Sequence, residues 1–352
     1  MILSDLTSCK IALRDNIILK EDNHMKRGLA ILLTLALCLT LTACGGTSAQ
    51  ETSEEQETSG SKGASTLTFA LLPKTLSNPY FVAMKEFAEA AAAELSNDKY
   101  TIEIVSSAPP LEDGVNEQIT MFESYLESGV DGVLIVPCGT AEVVDTIKKA
   151  NEKDVPVICL DTNADEGAEV AAFIGTNNYD GGYLAGEWTV KNVSGQVAII
   201  TGTLGNQCHT DRTNGYLDGL GDAENIELVG DVQPCNGDQG TAMGITENLL
   251  TAYPDLRCIY VTSDTGAMGA ATAVQAAGRD VKVIGFDGSP DGAQSILDGG
   301  MTATVAQTPG IMAEEGVKAL YELIVNGTAS EDQYTACTMV TAENAEDYLT
   351  WH

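Results

Sequence analysis

The chain has 352 residues, a net charge of −33 at pH 7, 44% hydrophobic residues and only 5% aromatic ones. That length exceeds one ordinary core, so two domains are expected, and the Gly-rich, aromatic-poor mix favours α/β architecture over a β-sandwich. Such acidity excludes nucleic acid as a partner, because phosphate contacts need clustered Lys and Arg, and it fits a surface kept soluble outside the cell.

The first strong signal covers residues 25–44. Lys26 and Arg27 form a basic start, Leu29 to Leu41 an apolar run, and Leu41-Thr42-Ala43-Cys44 sets small residues before a cysteine. The run is too short and too sharply bounded for a membrane-spanning helix and has the layout of a secretory signal. Its last four residues resemble a bacterial lipobox. That resemblance implies a signal peptide over 25–43, acylation of Cys44 and a membrane anchor through the acyl chains. Residues 1–24 are a polar preamble of a kind signal peptides rarely carry, so translation is expected to start at Met25. Residues 44–65, acidic and without apolar anchors, read as a flexible tether, since they bury too little surface to offset the entropy of ordering.

From Thr66 onward short β-branched runs alternate with helical patterns. Residues 66–71 read as a strand, 79–95 as a helix, 100–105 as a strand, 115–128 as a helix and 132–136 as a strand. Helix 141–150 and strand 156–160 follow. A second series opens with strand 171–175 and runs through helix 181–191, strand 196–201, helix 214–220, strand 226–232 and helix 240–252. Strand 258–262, helix 267–277, strand 281–286, helix 292–297, strand 304–306 and a long helix over 311–325 complete it. This alternation predicts two doubly wound α/β domains, with parallel sheets, right-handed crossovers and helices on both faces. Residues 132–161 and 258–287 lie over each other without a gap, and in both copies an apolar strand ends in an aspartate, Asp161 and Asp287. Matching βαβ units suggest two similar domains. Parallel α/β sheets bind ligands outside the carboxyl ends of their strands, so two facing domains would aim both aspartates into one cleft.

The strand ends offer what a carbohydrate needs: Asp, Asn, Gln and Arg for hydroxyls, rings for C–H faces. Asn78-Pro79-Tyr80-Phe81 follows the first strand. Asp161, Arg212, Asp264 and Asp287 follow later ones, and Gln307 ends strand 304–306. Singly, each aspartate reads as a helix cap and the rings as core; together they form a polar cleft with an aromatic wall. Past Cys44 the cysteines are Cys138, Cys159, Cys208, Cys235, Cys258 and Cys337, with no C-x-x-C pair, which argues against a zinc site or a disulfide-dense scaffold. Cys159 and Cys258 sit in apolar strands as small hydrophobes. Cys208 and Cys235 both fall just past strand ends, and a disulfide between them is left open. His24, His209 and His352 join no Ser-His-Asp set, and no phosphate loop appears, so neither catalysis nor a cofactor is expected. Thr201-Gly202-Thr203-Leu204-Gly205 reads as a tight turn lacking the full nucleotide fingerprint.

In this order the motifs resemble the type I periplasmic sugar-binding proteins, the ribose-, galactose-, allose- and xylose-binding group. The likeness is carried by Ser77-Asn78-Pro79-Tyr80-Phe81, residues 157–161 and 177–186, Arg212-Thr213-Asn214-Gly215-Tyr216, residues 283–292 and the closing Val340-Thr341-Ala342-Glu343-Asn344. It implies two Rossmann-like lobes, 66–176 plus 308–333 and 177–307 plus 334–352, joined by crossings near 175–177, 307–308 and Tyr334. It also implies that Asn78, Tyr80 and Phe81 form the stacking loop and that Asp161, Arg212, Asp287 and Gln307 hold hydroxyls. Thr162, Ser263 and Asp264 stand at further contact positions. Four departures shift the expectation from ribose toward a differently shaped sugar or a polyol: Val136 for Asn, Thr162 for Arg, Ser263 for Asn, and Gly237 where a ring closes the wall. The implied activity is that of a monomeric solute-binding lipoprotein, not an enzyme. It would close on a monosaccharide-like molecule and present it to an ABC permease with its cytoplasmic ATPase. A receptor feeding a chemotaxis or signalling partner uses the same clamp. A LacI-like repressor shares the fold but would need a basic helix-turn-helix where this chain has an acidic tether.

Overall fold

The computed structural model describes residues 64–351; the expected signal segment, Cys44 and nearly all of the tether lie outside them. The first series is β1 (Ser65–Leu72), α1 (Pro79–Leu95), β2 (Tyr100–Ser106), α2 (Val115–Ser128), β3 (Gly132–Ile135), α3 (Val144–Asn151), β4 (Val157–Leu160) and β5 (Ala172–Thr176). The second is α4 (Asn178–Asn192), β6 (Gly195–Thr201), α5 (Gln207–Leu220), β7 (Ile226–Leu228), β8 (Gln233–Pro234), α6 (Gln239–Ala252) and β9 (Leu256–Val261). It continues with α7 (Asp264–Ala276), β10 (Lys282–Asp287), α8 (Pro290–Leu297) and β11 (Ala303–Ala306). The chain closes with α9 (Pro309–Tyr321), a π-helical turn (Glu322–Asn326), β12 (Gln333–Thr335), β13 (Thr338–Thr341) and a 3-10 turn (Ala345–Tyr348).

Two sheets result, as the alternation predicts. Their orders are β2-β1-β3-β4-β5-β12 and β7-β6-β9-β10-β11-β13, so each reverses direction after its first strand. The segments that match without a gap are β3-α3-β4 and β9-α7-β10, which hold equivalent places in the two sheets. All pairings are parallel except β13 on β11. β3 and β4 are buried on both faces, which is why Val133-Leu134-Ile135 and Val157-Ile158-Cys159-Leu160 run apolar without alternation. One face of the first sheet packs Phe69, Leu134 and Leu160 against Met84 of α1 and Met312 of α9, so the last long helix returns to the first lobe. The other face buries Phe122 of α2 and Ile147 of α3. The second sheet is covered likewise, by α6, α7 and α8 on one side and α4 and α5 on the other.

Several boundaries differ from the sequence expectation. Helix α5 begins at Gln207 instead of 214, capped by the Asn206 side chain. Its first turns lack apolar periodicity because they face the cleft and not a core. α4, α7 and α8 also begin earlier, where the side chains of Asn177, Ser263 and Ser289 accept from backbone N–H groups of the first turn. The expected strand 226–232 is cut to β7, and β8 follows beyond its expected end, paired with β6, with Gly230 at φ 72° between the two. Helix 311–325 changes at Glu322 into the π-helical turn. α4 and α5 cross through glycines: a Cβ on Gly182 would lie 2.2 Å from the Arg212 carbonyl oxygen, and one on Gly215 would lie 2.0 Å from that of Tyr179. That backbone-to-backbone approach sets Arg212 close to the first turn of α4.

The chain passes between sheets at Asn177, at Gln307-Thr308 and at Ala336-Cys337. The third crossing comes later than expected: Tyr334 lies inside β12, paired with Gly175 of the first sheet. Nor do residues 334–352 stay wholly with the second lobe, since Trp351 packs against the first core. All six described cysteines are free thiols, so Cys208 and Cys235 are not joined. Cys208 faces Lys74 and Asn206, whereas Cys235 belongs to the second core. Among the described residues no helix is long and apolar enough to cross a membrane.

Candidate ligand-binding cleft

The carboxyl edges of both sheets face one enclosed space, lined by Lys74, Asn78, Tyr80, Phe81, Glu112 and Asp161 from the first lobe. Cys208, His209, Arg212, Ser263, Asp287 and Gln307 line it from the second. These residues sit at or after the ends of β1, β2, β4, β6, β9, β10 and β11, where parallel sheets bind ligands. About 10 Å³ is open to the centre of a water-sized sphere, roughly the room one water needs. A sugar-sized molecule therefore enters only if the lobes part.

Asp161 is the hub. It accepts from the Tyr80 hydroxyl at 3.1 Å and from Thr162 at 2.9 Å, and lies 3.5 Å from the Lys74 ammonium and 3.7 Å from the Arg212 guanidinium. Burial alone would raise its pKa, but Lys74 and Arg212 outweigh it and hold the carboxyl below its ordinary value. Burial likewise works against the Lys74 ammonium, yet Cys208, Asp161 and Glu112 hold its pKa above the usual lysine value. Arg212 donates to Asn178 at 2.8 Å and to the Thr262 carbonyl at 2.9 Å, and its guanidinium lies 3.9 Å from the centre of the Phe286 ring. That stacking fixes the plane of the fork. Its second carboxylate neighbour, Asp287 at 3.5 Å, also accepts from Gln307 at 2.8 Å. Burial, reinforced by Asp264 and Asp161, raises the Asp287 pKa well above the carboxylate range against the pull of Arg212. Both strand-end aspartates hold positive φ, 60° at Asp161 and 130° at Asp287. Non-glycine residues adopt such backbone where the surroundings impose it, often at functional sites.

Eight of the expected site residues meet in this space or line it: Asn78, Tyr80, Phe81, Asp161, Arg212, Ser263, Asp287 and Gln307. Two do not. Asp264 turns away and accepts from the backbone N–H and hydroxyl of Ser289 and from the Thr304 hydroxyl at 2.6 Å. Burial pushes its pKa up to about 6 even so. Thr162 gives its hydroxyl to Asp161. Both therefore shape the site from behind.

The sequence reading missed Lys74, Glu112, Cys208 and His209. Lys74 follows β1 and is 2% exposed. Glu112 accepts from Asn78 at 2.9 Å and lies 4.0 Å from His209. Its position explains Gly237: a Cβ there would come within 2.6 Å of the Glu112 carboxyl carbon. A carboxylate of the first lobe thus occupies the wall where the sequence lacks a ring. The only sequence-level hint was that absence at Gly237. Among the described residues no cluster of His, Cys, Asp and Glu is placed to hold a metal ion.

The lobes also touch directly. Asn206 donates to the carbonyls of Pro137 and Cys138 at 3.2 and 3.1 Å, and Lys74 reaches Cys208 Sγ at 3.4 Å. Residues 69–328 match the family model described as a periplasmic binding protein domain. The chain belongs to the periplasmic binding protein family. Its two parallel-sheet lobes are the type I arrangement. This binding protein is 31% identical over 270 residues to the ribose import binding protein of Escherichia coli strain K12, covering 76% of this chain and 88% of that one. It superimposes with a TM-score of 0.73 and 27% identity on a solute-binding protein from Actinobacillus succinogenes with bound D-allose, over 80% of this chain and all of that one. For a Caulobacter myo-inositol binding protein bound to myo-inositol the values are 0.71 and 28%, over 80% of this chain and 95% of the other.

Proposed function

We propose that this protein is the solute-binding component of an ABC importer for an uncharged monosaccharide or polyol, held at the outer face of the membrane by lipid on Cys44. The observation that carries the reading is the charge balance of the cleft. Lys74 already pairs with Asp161, and Arg212 with both Asp161 and Asp287, at 3.5 to 3.7 Å, so the cations of the cleft are met by carboxylates of the protein itself. A net charge on the ligand would have no counterpart there. A polyhydroxylated molecule would: Gln307 Oε1 is buried with no hydrogen-bond partner among the described residues, and accepts from a ligand hydroxyl. Ribose, D-allose and myo-inositol, the ligands named for the relatives, are of this kind. Because first-lobe and second-lobe groups meet only when the lobes close, ligand stabilises the closed form, and a permease reads that form.

Thermal unfolding against pentoses, hexoses and cyclitols tests the reading. A matching ligand at a hundred times its dissociation constant stabilises by about 2.7 kcal/mol, a rise of roughly a few degrees in Tm. A panel without any shift would remove the sugar assignment. The anchor has its own test. The protein is expected to take up radiolabelled palmitate and to lose the label in Cys44→Ser, and a wild type without label would rule out lipid on that cysteine.

A further inference from the structure

The far end of the described chain makes a contact that the three crossings do not account for. β13 belongs to the second sheet, and the 3-10 turn after it buries Ala345 in the second core, with Tyr348 packed against the same cluster. Three residues later Trp351 leaves that lobe and packs on the first core. Its indole and the Tyr80 ring make a T-shaped contact, with centroids 5.6 Å apart and planes at 78°, bordered by Leu76 ahead of α1 and by Pro79 and Val82 in its first turn. Tyr80 is the ring whose hydroxyl bonds Asp161 on its cleft side. The cleft's central tyrosine thus bonds a first-lobe aspartate through its hydroxyl and meets, through its ring, a tail rooted in the second lobe.

We propose that Trp351 is a non-covalent link between the lobes outside the cleft, a positioning residue that seats Tyr80 and biases the cleft toward closure. The inference rests on the clamp reading above. Residues 349–351 span at most about 10 Å when extended, so opening that carries α1 away from β13 strains or breaks the indole contact. An edge-to-face aromatic pair shifts an equilibrium by roughly two- to ten-fold. The contact is therefore strong enough to set the open fraction and too weak to lock the cleft.

Cysteine alkylation in the full chain, without sugar, tests this directly. Cys208 is buried in the cleft wall and is reached by iodoacetamide only when the lobes part, whereas Cys159 and Cys258 lie in the cores of the first and second lobes and report unfolding. Trp351→Ala is expected to raise the Cys208 rate, read by mass spectrometry, by roughly two- to ten-fold with Cys159 and Cys258 unchanged. Trp351→Phe keeps a ring against Tyr80 and is expected to hold the slow rate. An unchanged Cys208 rate, or a rise shared by the two core cysteines, would overturn the proposal. No sugar enters the measurement, so a failed ligand panel leaves it intact. Conversely, a flat Cys208 rate in a protein that still binds a sugar removes the bridge and not the clamp.

Discussion

Asp161→Asn is expected to abolish the ligand-induced rise in Tm while leaving the fold intact. Asparagine keeps the shape of the side chain and tolerates the φ of 60° at this position, so the substitution removes charge and little else. The closed cleft then leaves Lys74 without the carboxylate it pairs with, and leaves Arg212 with Asp287 at 3.5 Å, whose pKa burial raises. Removing one partner of a buried ion pair costs about 3–5 kcal/mol. The cost falls on closure and not on folding, since parting the lobes lets water reach both cations. Affinity should drop by roughly a hundred-fold or more, and small-angle scattering should show a larger radius of gyration than for the wild type. A normal ligand shift in Asp161→Asn would take this residue out of the binding site.

The second large effect concerns acid. His209 is buried against Thr262, its Nδ1 3.0 Å from the Thr262 hydroxyl, in a pocket so close that a Cβ on Gly202 would meet the ring. Burial, with Lys74 and Arg212 beside it, pushes its pKa down to about 3, although Glu112 and Asp161 pull the other way. The folded protein therefore keeps this imidazole neutral where the unfolded chain, near 6.5, takes up a proton. Stability from His209 is complete above about pH 6.5 and is lost as pH falls toward 3, by about 5 kcal/mol in all. Asp264 and Asp287 act in the opposite sense. Their raised pKa values favour the folded state below the pH at which they take up protons, and that contribution is lost as pH rises. The wild-type profile alone thus mixes signs. Subtracting the profile of His209→Asn isolates the histidine, and the difference in unfolding free energy should shrink steadily between pH 6.5 and 3. A difference that stays flat across that window would mean His209 is hydrated or charged in the native protein.

The two-lobe architecture could be read from local pattern alone. Continuous apolar runs such as Val157-Ile158-Cys159-Leu160 arise because a strand buried on both faces has no polar side. The caps at Asn78, Ser263 and Ser289 act within a few residues. The repeat of β3-α3-β4 in β9-α7-β10 was visible for the same reason: a βαβ unit carries its pattern in its own residues. So were Asp161 and Asp287, each at the end of such a run. What the sequence could not assign was polarity that faces a cleft. The first turns of α5 looked like a loop because one side of the helix meets Lys74 and Asp161 where a core would otherwise stand. Lys74, Glu112 and His209 are ordinary surface residues by spacing. Lys74 and Glu112 become buried because a second lobe, more than a hundred residues away for Lys74 and Cys208, closes over them, and His209 because Gly202 and Thr262, from the ends of other strands, enclose its ring. Asp264 was misplaced by the same blindness: its strand-end position fits a ligand contact, but Ser289 and Thr304, brought in by neighbouring strands, already take both its oxygens. Local sequence determined which elements form and in what order. The tertiary structure alone decided which of their ends meet, because burial and charge pairing between distant segments leave no periodic trace in the chain.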